Sequence, residues 1–219
     1  MSRSQRTGRL GRPPKLGARQ TRDAILDTAL ELFAAQGFAG TSLRQIAHAI
    51  GISESAIYAH FESKQAIYET LFEQVGPPTA FVLDFLQTSG DAMGEADPAV
   101  ILRQFTQHLL IVWDEPCARR FASFFMREGV LATESGRGSV QAAIRQAQQE
   151  FGQIFRHWME RGRIQEHVSP EHLVWELLAP LVTIRFLYLH ADATEAQRHE
   201  GHRLAEQHID YFLLSVRPT

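Results

Sequence analysis

The amino-acid sequence predicts an all-α protein with a small N-terminal domain and a larger helical remainder. Apolar residues recur at the spacing of an α-helix in most segments, and no segment alternates convincingly between apolar and polar residues, so we predict no sheet. Gly and Pro fall mainly between these segments, where they end or start helices. A chain of 219 residues is long enough to bury a substantial core in one or two domains.

Composition and charge narrow the class of protein. No apolar run reaches the ~18 residues of a membrane helix, and no apolar segment follows the basic N-terminus as in a secretory signal. Cys117 is the only cysteine, which excludes a disulfide framework and a cysteine zinc cluster. We therefore expect a cytoplasmic protein that does not associate with membranes.

The charge is distributed unevenly along the chain. Residues 1–72 carry nine Lys/Arg and six Asp/Glu, a net charge of +3, whereas residues 73–219 carry thirteen and nineteen, a net charge of −6. A basic N-terminal part joined to an acidic remainder indicates two tasks, one of them beside a polyanion.

Residues 1–20 are predicted to form a basic, flexible arm, because Gly and Pro recur in it and no acidic residue precedes Asp23. The tripeptide Gly11-Arg12-Pro13 resembles the centre of an AT-hook, in which Arg lies in a narrow A·T minor groove. A solvated tail that only attracts phosphate is the alternative. In both interpretations the arm would steepen the salt dependence of DNA binding.

An amphipathic helix is predicted next, over residues 21–36. Its apolar stripe comprises Ile25, Leu26, Ala29, Leu30 and Phe33. Gly37 is expected to end this helix, and Phe38 is expected to pack back beneath it. Such a helix could cover the following segment and complete a small three-helix core.

The stretch from Thr41 to Lys64 is predicted to be a helix-turn-helix. Gly51 stands where a residue with positive φ would end the first helix, and Ser53 can cap the second. The first helix buries Leu43, Ile46, Ala47 and Ile50, and the second buries Ile57 and Phe61. The outward side of the second helix carries Glu54, Ser55, Tyr58 and Ala59, which could enter a DNA major groove. An ordinary helical hairpin in a bundle is the alternative.

A fourth helix is predicted from a cap at Ser63 to Gly76-Pro77-Pro78, which sets a domain boundary near residues 72–78. We therefore predict domains at 21–72 and 73–219. Asp97-Pro98, Ser169-Pro170 and a Thr194/Gln197 capping box mark later helix starts. Helices are predicted over 79–87, 97–113, 115–131, 140–161, 169–190 and 194–215, with loops at 88–95 and 135–138.

Residues 21–72 resemble the DNA-binding domain of the TetR family of bacterial transcriptional regulators. The resemblance is carried by the T-S-L-R-Q-I-A run, the Gly-Ile turn, the Ile-Tyr-x-His-Phe run and the Ser-Lys pair that follows it. It implies a helix-turn-helix DNA-binding domain of three helices plus the start of a fourth. It also implies a larger all-helical domain for ligand binding and dimerisation.

The resemblance assigns DNA contacts by position. Thr41, Ser42 and Lys64 match phosphate-binding positions, and Arg44 matches a position that reaches a base or the backbone. Operator contacts are implied for Ser53, Ser55, Tyr58 and His60. Glu54 could accept from a cytosine amine or could merely favour the helix N-terminus. Ala59 is small where many members carry a larger side chain, so base reading by this helix is expected to be thin.

The large apolar side chains of residues 79–190 are typical of a helical core, but the resemblance implies a cavity for a small apolar or amphipathic effector. The candidate lining comprises Phe105, Leu109, Trp113, Phe125, Phe155 and Trp158, with His108, Arg127 and His157 as polar groups. The resemblance also implies that the last two helices pair with a second subunit. The faces expected to do so carry Leu173, Leu177, Leu181, Ile184 and Tyr188, and Leu204, Ile209, Phe212 and Leu213.

The leading hypothesis is a ligand-responsive, homodimeric repressor that binds a palindromic operator on double-stranded DNA and releases it when an effector binds. An effector-independent architectural protein that uses its basic arm is the alternative. We expect no enzyme activity and no cofactor, because no nucleophile elbow, phosphate loop or paired-carboxylate constellation is present. His199 and His202 lie three residues apart on one helix face, which indicates a solvated face or, as the alternative, a metal site. A redox role for Cys117 is a further alternative, but nothing in the sequence marks its thiol as acidic.

Overall fold

A computed structural model describes residues 18–75, 96–128 and 140–218, with only the backbone described for 140–144. All regular structure within these ranges is helical. The helices are α1 (Ala18–Gly40), α2 (Leu43–Ala49), α3 (Glu54–Tyr58), α4 (Lys64–Val75), α5 (Pro98–Asp114), α6 (Pro116–Glu128), α7 (Val140–Glu160), α8 (Pro170–Tyr188) and α9 (Glu195–Ser215). The predicted segments 79–87, 88–95 and 135–138, and Arg12 in the arm, lie outside the described residues.

The helix boundaries follow the caps predicted from the sequence. Asp97 caps α5 and Ser169 caps α8, each with Pro in the first turn, and Thr194 caps α9 through the expected capping box. Helix α1, Ala18–Gly40, extends beyond the predicted 21–36 at both ends. Helix α1 begins at Ala18, so the last three residues assigned to the arm belong to its first turn.

Helices α2 and α3 form the predicted helix-turn-helix. Gly51 has φ 71°, and the amides of Gly51 and Ile52 donate to the carbonyls of His48 and Ala47. This pair of bonds is a Schellman motif, which satisfies carbonyls left open at the end of α2. The hydroxyl of Ser53 then accepts from the Ala56 amide and caps α3. Only four residues, Ile50 to Ser53, therefore separate α2 from α3.

The backbone of α1 leaves the helical conformation at Gly37, where the sequence predicted the helix to end. Gly37 has φ 79° and ψ 164°, a region that is essentially restricted to glycine. Phe38 consequently folds back, and its ring lies 5.2 Å from that of Phe33 and 5.6 Å from that of Tyr68. The break closes the α1–α2 connection tightly over the N-terminal core.

The core of the N-terminal helices is completed by α6. The ring of Phe124 lies 5.6 Å from Phe33 of α1 and 6.1 Å from Tyr68 of α4. The ring of Phe125 lies 5.9 Å from both Phe72 of α4 and Phe186 of α8. A single buried cluster thus joins the helix-turn-helix to the rest of the chain.

A second buried cluster is built by α5, α7, α8 and α9. The faces of α8 and α9 that the sequence assigned to a second subunit lie inside one chain instead. Leu173, Leu177, Leu181 and Ile184 are buried, as are Ile209, Phe212 and Leu213, and Tyr188 and Leu204 are half-buried against the same cluster. That expectation was wrong because α8 and α9 pack on one another and on α7 and α5.

Replacing Gly51 tests the turn. A Cβ at this position would meet no atom within 4 Å, so the only penalty of Gly51→Ala is the left-handed backbone, which costs about 1–2 kcal/mol. Gly40→Ala is the matched control, because Gly40 ends α1 without a positive φ and its Cβ would make ordinary contacts. Urea unfolding should show destabilisation by Gly51→Ala alone; equal midpoints for the two variants would contradict this account of the turn.

Candidate nucleic-acid interface

Helix α3 presents one face to solvent. Ile57 is fully buried in the N-terminal core, whereas Tyr58 on the next position is 55% exposed. Ser53 and Ser55 are exposed, and their hydroxyl oxygens lie 2.9 Å apart. His60, just after the helix, is half-buried. The outward face therefore carries hydroxyls, a phenol ring and the exposed Glu54 carboxylate, without a large aliphatic group, which suits polar contacts to a DNA groove.

The second candidate contact region is the N-terminus of α2, the helix that precedes α3 in the sequence. Ser42 is exposed and caps α2, accepting from the Gln45 amide, while the Ser42 amide donates to the Gln45 side chain over 2.7 Å. Arg44 is exposed in the first turn. Backbone N–H groups in the first turn of a helix lack intrahelical acceptors, so such a turn favours an anion.

Thr41 does not take the role that the resemblance implied for its side chain. It is only 2% exposed, and its hydroxyl donates to the Gly37 carbonyl over 2.9 Å. A hydroxyl turned inward to the break in α1 cannot reach a phosphate in this arrangement. Thr41 instead holds the α1–α2 connection closed.

Lys64 is half-buried at the start of α4. Its ammonium group donates to the carbonyls of Phe38 and Thr41 over 2.5 and 2.6 Å. It also lies 4.3 Å from the centre of the Phe38 ring. The ammonium group is thus turned towards the α1–α2 connection, a contact that the sequence did not reveal.

The six residues predicted to line an effector cavity do not come together. Five of them lie in the second buried cluster, called the C-terminal cluster from here on: Phe105, Leu109, Trp113, Phe155 and Trp158. Phe125 belongs to the other cluster, because α6 packs against α4. Of the suggested polar groups, His108 is exposed and Arg127 donates to the Ala34 carbonyl on the broken end of α1. Phe125 is thus separated from the cluster that holds the other five candidate residues.

Sequence reasoning missed Arg185, which is buried on α8. Its guanidinium donates to the carbonyls of Val75, the last residue of α4, and Ala118 on α6. It also lies 5.0 Å from the Trp113 ring. Burial lowers the pKa of Arg185 to about 9, which leaves it charged at neutral pH. Arg185 follows Ile184 directly, within the buried apolar face of α8, and this position was the sequence signal for its burial.

A groove of about 490 Å³ lies between the start of α5 and the end of α9. None of the six residues predicted to line the effector cavity is part of its lining. Its polar lining includes Arg103 and Asp210, which form an exposed ion pair, and Arg163, which donates to the Ala96 carbonyl. These contacts engage the charges of Arg103, Asp210 and Arg163. Sequence periodicity could not indicate it, because it forms where three chain segments meet.

Two weaker hypotheses also have structural outcomes. Burial raises the pKa of the half-buried Cys117 thiol, which disfavours the reactive thiolate. His202 lies 3.6 Å from Asp114 in an ion-pair network with Arg119 and Arg198. Within the described ranges, no three metal-ligating side chains converge on one point.

None of the helices in the described ranges has the length and apolarity to cross a membrane.

Comparison with known proteins identifies the family. Residues 25–71 match the profile of bacterial regulatory proteins of the tetR family. The chain is 30% identical over 162 residues to the HTH-type transcriptional regulator RutR of Escherichia coli K12, covering 71% of this chain and 69% of that one. It is 36% identical over 101 residues to the regulator AcrR of Shigella flexneri, but that match spans only 45% of AcrR.

Solved structures share the fold over almost the whole chain. SmeT, the repressor of the Stenotrophomonas maltophilia multidrug efflux pump SmeDEF, superposes with a TM-score of 0.68 at 24% identity, covering 91% of this chain and 92% of that one. NalD, the secondary repressor of the MexAB-OprM pump in Pseudomonas aeruginosa, gives 0.63 at 23% identity, with 91% and 97% covered. The chain belongs to the tetR family of bacterial regulatory proteins, so it is a helix-turn-helix, DNA-binding transcriptional regulator.

Proposed function

We propose that this chain is a dimeric repressor that binds a palindromic operator and releases it when a small apolar or amphipathic effector binds. Residues 21–72 would contact DNA, and residues 73–219 would bind the effector and the second subunit. The single observation that carries the DNA-binding part is the outward face of α3. Tyr58 is 55% exposed on a helix whose opposite side is buried at Ile57.

DNA contacts are proposed for the outward side chains that the structure leaves accessible. Ser53, Ser55 and Tyr58 on α3 would enter the major groove, and His60 follows them at its edge. Ser42 and Arg44 would meet phosphates at the N-terminus of α2. The basic residues of the arm, including Arg12, would add sequence-independent attraction or lie in an adjacent minor groove.

Dimerisation is proposed through the outer faces of α8 and α9. These faces expose large apolar groups: Trp175 is 46% and Leu187 57% exposed on α8, and Tyr211 is 72% and Leu214 56% exposed on α9. Apolar groups exposed together on neighbouring helices are typical of an interaction surface. A symmetric pair would place two copies of α3 on successive major grooves, about 34 Å apart.

The effector is proposed to enter the C-terminal cluster, where Phe105, Phe155 and Trp158 are buried. Such a lining favours an apolar or aromatic compound. SmeT, which shares the fold, has been crystallised with triclosan. An effector would act by binding one separation of the two α3 helices more tightly than the other, since only differential affinity can shift the populations.

Footprinting tests this function directly. DNA from upstream of the chain's own gene would be probed with the full-length protein, with and without a panel of hydrophobic compounds. A repressor of this kind should protect a short palindrome and lose protection with at least one compound. Long, irregular protected tracts that no compound releases would favour an architectural DNA-binding protein, for which the basic arm is the supporting feature.

Replacing Tyr58 tests whether the outward face of α3 is the one that meets DNA. Tyr58→Ala should weaken operator binding by about 1–3 kcal/mol for each subunit, because it removes a groove contact. Unfolding should be unaffected, because the side chain is exposed. Tyr58→Phe separates the hydroxyl from the ring, and Ile111→Ala, an exposed change on α5, is the control. Wild-type affinity in a folded Tyr58→Ala protein would refute the proposed orientation of α3.

Deleting residues 2–17 tests the arm and keeps every residue of α1, Ala18–Gly40. This removes five basic residues: Arg3, Arg6, Arg9, Arg12 and Lys15. Binding should weaken, and the slope of log affinity against log salt should become shallower by about 0.9 for each phosphate that the arm no longer neutralises. An unchanged slope, measured by fluorescence anisotropy between low and moderate salt, would show that the arm does not touch DNA.

A further inference from the structure

Helices α5 and α6 are joined by a single residue. Helix α5 ends at Asp114 and α6 begins at Pro116, so that Glu115 alone lies between them. Glu115 has an extended backbone, with φ −59° and ψ 140°, and its amide donates to the Val112 carbonyl. A connection of one residue couples the two helix ends closely. A contact that holds the end of α5 therefore also restrains the start of α6.

The carboxylate of Asp114 links this connection to α9. It accepts from the guanidinium of Arg119 in α6 over 3.1 Å and from that of Arg198 in α9 over 3.2 and 3.3 Å. The imidazole of His202, one turn further along α9, lies 3.6 Å from the carboxylate. We name these four residues the Asp114 network. Their side chains are between 18% and 34% exposed, so water and salt screen the network less than a fully exposed pair.

The Asp114 network holds more positive than negative charge. Within the described residues, Asp114 is the carboxylate that Arg119 and Arg198 share, and neither guanidinium forms a second ion pair. The Nε atoms of both arginines are buried without a hydrogen-bond partner among those residues. Removing the carboxylate would leave two like charges close together between α6 and α9, in a partly buried site where their repulsion is costly. Asp114 is thus the group that makes this contact attractive.

Beyond its first turn, α6 runs along α1 of the N-terminal part. Arg120, the neighbour of Arg119, pairs with Glu31 over 3.4 Å, and Arg127 donates to the Ala34 carbonyl over 2.7 Å. Aromatic side chains between Arg120 and Arg127 lie in the buried core that α6 shares with α1 and α4. Because this core is closely packed, a change in the direction of α6 at the Asp114 network would displace α1 and α4 as well.

Helix α9 carries the Asp114 network on the side opposite to the proposed dimer face. Tyr211 follows His202 by nine residues, which is about two and a half turns of helix and places the two side chains on opposite sides. Leu214 follows Arg198 by sixteen residues, or about four and a half turns, with the same result. A single helix thus separates the proposed second subunit from the residues that hold α6.

We infer that Asp114 is a positioning residue for operator binding. By holding the start of α6 on α9, it sets how the DNA-binding helices sit relative to the dimer surface, and so the separation of the two α3 helices. The inference rests on the proposed function for the dimer and the operator. The restraint on α6 within one chain is independent of both and can be measured separately.

The first measurement is a distance within one chain, in the absence of DNA. Spin labels replace exposed Glu62, after α3, and exposed Gln153, on α7, in a Cys117→Ser protein. Dilution with unlabelled chains leaves only pairs within a chain for pulsed electron paramagnetic resonance. Asp114→Asn should broaden the distance distribution about twofold, because α6 then samples more than one direction. An unchanged distribution would overturn the inference, whether or not the protein binds DNA.

Asp210→Asn is the matched control. Asp210 also lies on α9 and pairs with an arginine of α5, Arg103, but this pair is exposed and does not involve α6. The same change of charge at this position should leave the distance distribution as it is, because exposed pairs contribute little. Equal broadening by Asp210→Asn and Asp114→Asn would show a general effect of a lost carboxylate and contradict the inference.

Arg198→Gln is a milder variant, which keeps Asp114 paired with Arg119 and removes the hydrogen bonds to α9. It should also broaden the distribution. A folded Arg198→Gln protein with the original distribution would overturn the inference even if Asp114→Asn does not fold. Added to Asp114→Asn, the same change should narrow the distribution, because it removes one of two neighbouring cations. Equal broadening in both backgrounds would show independent losses of packing and contradict the inference.

The second measurement is affinity for a duplex that the unaltered protein has selected from a random pool. Asp114→Asn should weaken binding roughly tenfold, because two mobile α3 helices must be ordered on DNA. The salt dependence should be nearly unchanged, since no group that neutralises a phosphate is lost. Asp210→Asn should bind normally.

A broadened distribution together with wild-type affinity in the Asp114→Asn protein would overturn the positioning role. Failure of the unaltered protein to select any duplex would instead count against the proposed function. The distances within one chain would still decide whether Asp114 holds α6 on α9.

Discussion

The packing of α6 into the N-terminal core is the constraint on which the rest of the structure depends. Phe124 stacks against Phe33 of α1, and Phe121 and Phe125 of the same helix contact Phe72 of α4. The N-terminal helices therefore share their core with α6, a helix of the part proposed to bind the effector. Close-packed interiors transmit small displacements instead of absorbing them. A shift of α6 would be felt at α1 and α4, and through them at α3.

Polar contacts reinforce this joint at the points where helices end. Arg185 binds the last carbonyl of α4 and a carbonyl of α6, so it joins both helices to α8. Arg127 of α6 donates to the Ala34 carbonyl, in the turn of α1 that precedes the break at Gly37. The DNA-binding helices are thus anchored through backbone carbonyls of α1 and α4.

Much of this arrangement could be predicted from the sequence, because it is written in local signals. Caps such as Ser53 and Thr194, and the turn glycines Gly37 and Gly51, depend only on residues a few positions away. The outward position of Tyr58 follows from its neighbour Ile57.

What could not be predicted are contacts between distant segments. Lys64 meets carbonyls 23 and 26 residues away, and Phe125 joins the N-terminal core because of how α6 is oriented. The central claim is that two copies of the protein place their α3 helices on successive major grooves of one operator. The most direct measurement of this claim is the distance between the two copies of α3 on operator DNA. Spin labels at exposed Glu62, in a Cys117→Ser protein, would report it by pulsed electron paramagnetic resonance. We expect a narrow distribution near one helical turn of DNA, on the order of 35 Å, that broadens or shifts when effector is added. The absence of any dipolar coupling on DNA would contradict that claim.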